Sequence, residues 1–384
     1  MKYEKVALSI VLVSLPILVF DVMLTAYTKE LGYTVFQLSI LYSVYSFSEL
    51  IMRLLIGKVS DRYSRYAVLC CALFLYGLAF FLFAQARSLG YLLAARMVQG
   101  AAGILLTISA VSLITAEKTS FARGLGRYSG NRQFGGILGI GLTYYVFYRS
   151  DFLEGWNRLF LISAAFAIVS LVYTLAQRPS HTKDTFSQSE KIVYTVLEQK
   201  IWILNFLYCI PGRMAGVLII PYMMEVYHVD MAAVAYVFIL PVMLSAFLSP
   251  RIGQIGDRVG YKTTILSFTL IAAVLVVLLV FSPNLWIFAI IWTLYQLALT
   301  AQDYSLDALF VEGVPERVMG NFYGKYMFGT SLGGIIGPFI GGSMFHLAGG
   351  RAPYFICSAF LAVITVLVWR LIPAKGKCER EMIG

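Results

Sequence analysis

A chain of 384 residues that is 59% hydrophobic and only 13% charged cannot solvate a water-facing surface, because soluble domains average roughly 25% charged residues. Its mean hydropathy of +0.78 makes lipid the fitting solvent. The net charge of +10 would suit a nucleic acid, but the basic residues form no patch with interleaved aromatics. They fall in short loops that alternate along the chain, the positive-inside pattern, so nucleic acid is excluded as a partner.

The chain opens with Met1-Lys-Tyr-Glu-Lys5 and passes directly into an apolar run that Asp21 interrupts and Lys29-Glu30 closes. With no small-residue cleavage site, the run reads as a retained first helix over 6–28. Crossing the hydrocarbon core takes roughly 20 apolar residues. Further spans of that kind are predicted over 35–57, 66–86, 89–115, 125–148, 157–177, 201–227, 231–252, 262–282, 285–310, 319–346 and 352–372. The longest polar stretch starts at Arg178 and runs to Lys200, with an amphipathic segment expected at Glu190–Glu198. The expected organisation is a six-helix bundle over 1–177, a cytoplasmic linker over 178–200, and a second six-helix bundle over 201–384 ending in a short tail. The excess of Lys and Arg on one side places both termini in the cytoplasm of a plasma (inner) membrane.

The two halves repeat each other. Gly57-Lys-Val-Ser-Asp61-Arg62-Tyr-Ser64-Arg65 returns 196 residues later as Gly253-Gln-Ile-Gly-Asp257-Arg258-Val-Gly260. Gly126, Gly130, Phe134, Gly135 and Gly139 return as Gly320, Gly324, Phe328, Gly329 and Gly333. Two landmarks in one order and at one spacing mark a duplicated unit. A membrane bundle duplicated along an axis normal to the membrane is an architecture of secondary transporters.

Gly57-x-x-x-Asp61-Arg62-x-x-Arg65 resembles the signature between helices two and three of the major facilitator superfamily, with Ser64 where a glycine is usual. Arg96-x-x-Gln99-Gly100 resembles that family's second motif, in helix four. The overall pattern resembles its twelve-helix drug/proton antiporter type. The resemblance implies an all-α membrane fold of twelve transmembrane helices in two bundles with a pseudo-two-fold 6+6 repeat. It also implies a central cavity lined by helices one, four, seven and ten. It makes Gly57, Asp61, Arg62, Arg65, Gly253, Asp257 and Arg258 a cytoplasmic gating motif that opens and closes during alternating access. A Gly-Pro pair of the antiporter kind does occur, but as Gly337-Pro338 in helix eleven rather than in helix five, which has glycines and no proline.

An ionised side chain at mid-bilayer costs at least roughly 2.5–3.5 kcal/mol, so the charges retained there are the functional candidates. Asp21, Asp303 and Glu49 are candidates for proton coupling. For Asp21 the alternatives are a titrating carboxylate and an ion pair with Arg96, and both fit if they belong to different states. Glu49 and Arg53, four residues apart, suit a helical pair. Arg213, Arg132 and Arg96 are candidates for substrate contact, with Tyr208, Tyr295 and Gln296. Applying the repeat offset puts Arg213 near the depth of Leu18 to Asp21, and the cavity that the family resemblance implies would have it face Asp21 across the pseudo-two-fold axis; a charge partner for Asp303 or Glu225 is its structural alternative. Asp307 reads as structural.

The five cysteines show no metal spacing and the three histidines fall in or near loops, so no metal and no cofactor is expected. No nucleophile–base constellation suggests an enzyme. The chain therefore reads as a monomeric secondary transporter for a small amphipathic molecule, driven by protons and directed outward. A transporter for an organic anion held by Arg132 and Arg213 is the alternative, and a non-transporting membrane sensor is a third. The many tyrosines and phenylalanines favour a cationic or neutral amphipath.

Overall fold

The computed structural model describes residues 4–60, 64–115, 121–177, 195–229, 254–311 and 316–372, with isolated positions between 237 and 252. Of the proposed gating motif, Asp61, Arg62 and Gly253 lie outside the described residues, as does most of the span predicted over 231–252. Every regular element among the described residues is helical. In chain order these are α1 Glu4–Val13, α2 Phe20–Glu30, α3 Val35–Ser60, α4 Arg65–Gln85, α5 Leu89–Thr115, α6 Phe121–Tyr148, α7 Phe152–Ala176, α8 Val196–Val226, α9 Tyr261–Val280, α10 Leu285–Val311, α11 Glu316–Ala348 and α12 Ala352–Leu371. Among the described residues, nine helices are long and apolar enough to cross a membrane. Large apolar side chains at helical spacing face outward, as with Leu270, Val274 and Leu278 on α9, which suits lipid as the surrounding solvent.

The predicted first helix is two helices. α1 ends at Val13 and α2 begins at Phe20, because Pro16 between them has no N–H to donate and crowds the turn before it. The local bonds tighten accordingly: Leu15 N–H reaches Leu12 O at 3.5 Å and Ile17 N–H reaches Ser14 O at 3.0 Å. A second difference lies at α8. It starts at Val196 rather than near 201, because Thr195 and Glu198 form a reciprocal capping box there, which satisfies two otherwise orphaned N–H groups.

The chain divides into two compact units. The first comprises Met1–Thr34, Leu41–Lys191 and Pro315–Gly324; the second comprises Val35–Ile40, Ile192–Val314 and Lys325–Gly384. In the first, α4 packs on α5 and α7 while α1 packs on α6 and α7. Its core is aromatic: Phe20 meets Phe83 and Phe160 edge to face, Trp156 meets Phe83 edge to face and Phe160 at a tilt, and Tyr27 lies flat on Trp156 with ring centroids 4.0 Å apart. In the second, α9 packs on α10 and α12, and α12 packs on α8. Tyr222, Phe288 and Tyr354 form the matching cluster there.

Glycine faces set the closest helix contacts. A Cβ on Gly139 of α6 would run into the carbonyl of Leu15, beside the break in the first span, and one on Gly135 would meet that of Val11. In the second unit a Cβ on Gly337 of α11 would lie 2.5 Å from Ile210 O of α8. Backbone meets backbone at these points, which only glycine permits.

The two copies of the loop signature enter their following helices differently. Ser64 takes an extended conformation and its hydroxyl accepts from Ala67 N–H at 3.2 Å, capping α4. Gly260 stands before α9 with φ of +98°, a value that glycine adopts without strain. Serine in place of the usual glycine thus supplies a cap by another means.

Candidate functional site

The Pro16 break decides how Asp21 is presented. α2 begins one residue earlier, so the carboxylate stands in a first helical turn, where the exposed N–H groups favour negative charge. Tyr42 of α3 donates to Asp21 Oδ1 at 3.0 Å. Arg96 Nη2 of α5 approaches the same oxygen at 3.9 Å. The two partners differ sharply in setting: the Asp21 side chain is 66% exposed and that of Arg96 is 3% exposed.

Arg96 is held by ring faces more than by oxygen. Its guanidinium carbon lies 4.6 Å from the centroid of Phe20, 4.4 Å from that of Tyr42 and 5.3 Å from that of Tyr45. These rings attract the cation through their quadrupoles. Its Nη1 donates to Gln99 Oε1 at 3.0 Å, while Nε and Nη2 are buried without a hydrogen-bond partner. An always-charged group is therefore sequestered in an aromatic cup beside an exposed carboxylate. Sequence pattern brought Asp21, Arg96 and Gln99 forward. Tyr42 is one of several tyrosines within the predicted helices, and nothing in the sequence ties it to Asp21; the break is signalled by Pro16.

Further along the same unit, Tyr128 and Arg132 lie one turn apart on α6. Arg132 Nη1 donates to Tyr128 OH at 3.4 Å, and Tyr128 OH lies 2.9 Å from Thr107 Oγ1 of α5. Glu49 stands one turn beyond Tyr45 on α3.

In the second unit Tyr208 of α8 hydrogen-bonds Thr269 of α9, which donates to Gln302 Oε1 of α10 at 3.3 Å. Asp303 follows Gln302 and is exposed, as is Arg213 on α8. Asp303 feels the charges of both Asp307 and Arg213. Tyr295 is fully buried with its hydroxyl unpartnered, and Gln296 accepts from Thr300 through its backbone carbonyl. Asp257 accepts from Tyr261 OH at 2.7 Å, and Arg258 is exposed. Gly57 and Arg65 fall within α3 and α4.

Many apolar spanning helices, a duplicated packing scheme and charges kept inside the apolar spans define a polytopic membrane transporter. A sequence profile of the Major Facilitator Superfamily matches residues 6–200 and again 201–380, and the chain belongs to that family. Among curated relatives, the multidrug resistance protein MdtG of Proteus mirabilis is 32% identical over 130 residues, 34% of this chain and 32% of that protein. MdtG of Yersinia enterocolitica is 32% identical over 133 residues, 35% of this chain and 32% of its own length. The matched stretch thus spans about a third of those relatives. Among solved structures, the nucleoside transporter NupG superposes with a TM-score of 0.70 at 15% identity, covering 97% of this chain and 99% of that one. The human organic anion transporter MFSD10 gives 0.66 at 14% identity, covering 95% and 97%. At these identities the structural likeness speaks to fold alone.

Proposed function

We propose that the protein is a proton-coupled exporter of small amphipathic molecules, working by alternating access in the cytoplasmic (inner) membrane with both termini inside. The observation that carries this is the Asp21–Arg96 pair. The guanidinium is buried and permanently charged, whereas the carboxylate is exposed and shared between Tyr42 and Arg96. Protonation of Asp21 removes the negative charge that pairs with that cation. The ring faces and Gln99 then hold it, and α2 is freed to shift against α5. A proton thereby changes the balance between two helix arrangements, as coupling requires. The partial likeness to multidrug resistance proteins supports the substrate class and the outward direction. Asp303, beside Arg213, is the second candidate carrier.

Reconstituted protein under an imposed pH gradient tests this. Wild type is expected to move a lipophilic dye against its gradient. Asp21→Asn is expected to insert normally and lose proton-driven accumulation, because the amide keeps the shape and cannot titrate. Wild-type rates in the variant would remove Asp21 from the role and send the test to Asp303. An organic-anion substrate is the second reading, favoured by the unpartnered Nε of Arg132.

A further inference from the structure

Three pairs of residues, each pair one helical turn apart, come together within the first unit, two of them around the third on α5. They are Tyr45 and Glu49 on α3, Gly103 and Thr107 on α5, and Tyr128 and Arg132 on α6. The convergence is enforced by packing. A Cβ on Gly100 would lie 2.5 Å from Tyr45 O, so α3 and α5 touch backbone to backbone there. One turn on, a Cβ on Gly103 would lie 3.3 Å from Tyr45 OH and 3.4 Å from Tyr76 OH. Two phenols from different helices therefore converge on the place where Gly103 carries no side chain.

The guanidinium beside this spot is fixed by a directed chain of donors. Arg132 Nη1 donates to Tyr128 OH, Tyr128 OH meets Thr107 Oγ1, and Thr107 Oγ1 donates to Gly103 O at 2.8 Å. The chain uses the Nη1 end of the fork. It leaves Nε, on the side edge, buried and without a partner. That side edge, Nε with Nη2, is the one that takes a carboxylate through two parallel hydrogen bonds. Glu49 supplies the opposite charge from α3. Tyr45 and Tyr76 each lie in the fields of both Glu49 and Arg132, so a negative and a positive group flank the two phenols.

We infer that this niche is a subsite for zwitterionic amphipaths, with an acidic oxygen group on the Arg132 side edge and the Tyr45 and Tyr76 hydroxyls, and a cationic group toward Glu49. A simple cation would leave the guanidinium unpaired and face its repulsion; a simple anion would face that of Glu49. This rests on the proposed transport of amphipathic molecules and narrows it.

The test is equilibrium binding to the purified full-length protein in nanodiscs, read by fluorescence anisotropy with no proton gradient. The probes are rhodamine B, which is a zwitterion, its ethyl ester, which is a cation, and fluorescein, which is an anion. Wild type is expected to prefer rhodamine B over the ester by roughly tenfold or more, the range for hydrogen bonds to charged groups. Arg132→Gln is expected to bring that ratio near one. Glu49→Gln is expected to weaken both rhodamines and to spare or improve fluorescein. Should Arg132→Gln not fold, Tyr128→Phe removes the phenol that fixes Nη1 while keeping the charge, and is expected to reduce the ratio severalfold. Equal affinity for rhodamine B and its ester in wild type, or a ratio untouched in these variants, overturns the inference. Selective binding without proton-driven transport would overturn the transport proposal and leave this one standing.

Discussion

The carbonyls at the end of α4 run short of helical donors; Ala86 N–H reaches Phe83 O at 3.2 Å, and three side chains from elsewhere in the first unit supply further donors. Trp156 Nε1 donates to Phe83 O at 2.7 Å, Asn157 Nδ2 to Ala84 O at 2.9 Å and Tyr27 OH to Ala86 O. In a lipid-facing protein such groups have no water to fall back on. Trp156→Phe keeps most of the ring and loses only the donor, so it is expected to cost about 1–3 kcal/mol, visible as a lower thermal unfolding midpoint in detergent. An unchanged midpoint would mean that the Ala86 N–H bond to Phe83 O suffices. Ser64 gives a milder case at the other end of α4. Ser64→Ala is expected to cost about 1 kcal/mol and Ser64→Gly only a few tenths, a ranking the same melts would report. Asp21 and Arg96 were legible at this scale because a charge in an apolar helix stands out. Tyr42 was not, since one tyrosine among 25 carries no mark of what it faces.

At the scale of elements, glycines at four-residue steps announced close packing without saying against what. The structure gives each stripe its partner: α6 receives α1 and the turn after it, and α11 receives α8. The two stripes yield a controlled comparison. A Cβ at Gly139 collides with the Leu15 carbonyl, whereas a Cβ at Gly141 meets nothing within 4 Å. Gly139→Ala is therefore expected to destabilise by about 3 kcal/mol or more, beyond ordinary overpacking because backbone rather than a side chain must yield. Gly141→Ala is expected to be neutral or slightly stabilising, since alanine favours helix. Unfolding midpoints and yields of folded protein distinguish them; equal behaviour would contradict the packing. The division of the first span into α1 and α2 escaped the hydropathy pattern, which counts apolar residues and is blind to the missing N–H of a single proline.

Over the whole molecule, the internal repeat was the most readable property, and it extends into detail the sequence did not reveal. Tyr27 caps Ala86 O in the first unit, and Tyr222, 195 residues on, reaches Val280 O at 3.4 Å in the second. The scaffold is repeated; the charges are not. At offsets of 194 to 196 residues, the range the two repeated landmarks set, Asp21 corresponds to Gly216, Arg96 to Trp292 and Arg132 to Tyr326. A repeat therefore shows the shared frame far better than the charges that differ between its copies. The polar stretch between the halves contains Lys183 and Lys191, so brief trypsin treatment is expected to yield two fragments of similar size that stay in the membrane fraction. Earlier cleavage within either half would count against two separately packed bundles.

The interrupted first span has a consequence for biogenesis. At 1.5 Å of rise per residue, α1 and α2, with 10 and 11 residues, extend only about 15 Å each against a hydrocarbon core of about 30 Å. Neither crosses alone, and the turn between them exposes backbone that lipid cannot satisfy. As the chain leaves the ribosome this segment has no stable lodging until α6 is made and offers Gly135 and Gly139 to Val11 and Leu15. The newest part of the nascent chain must therefore rescue the oldest. Gly139→Ala should accordingly leave its trace first in surveillance, as protein degraded soon after synthesis, with the surviving molecules transporting at near-normal turnover.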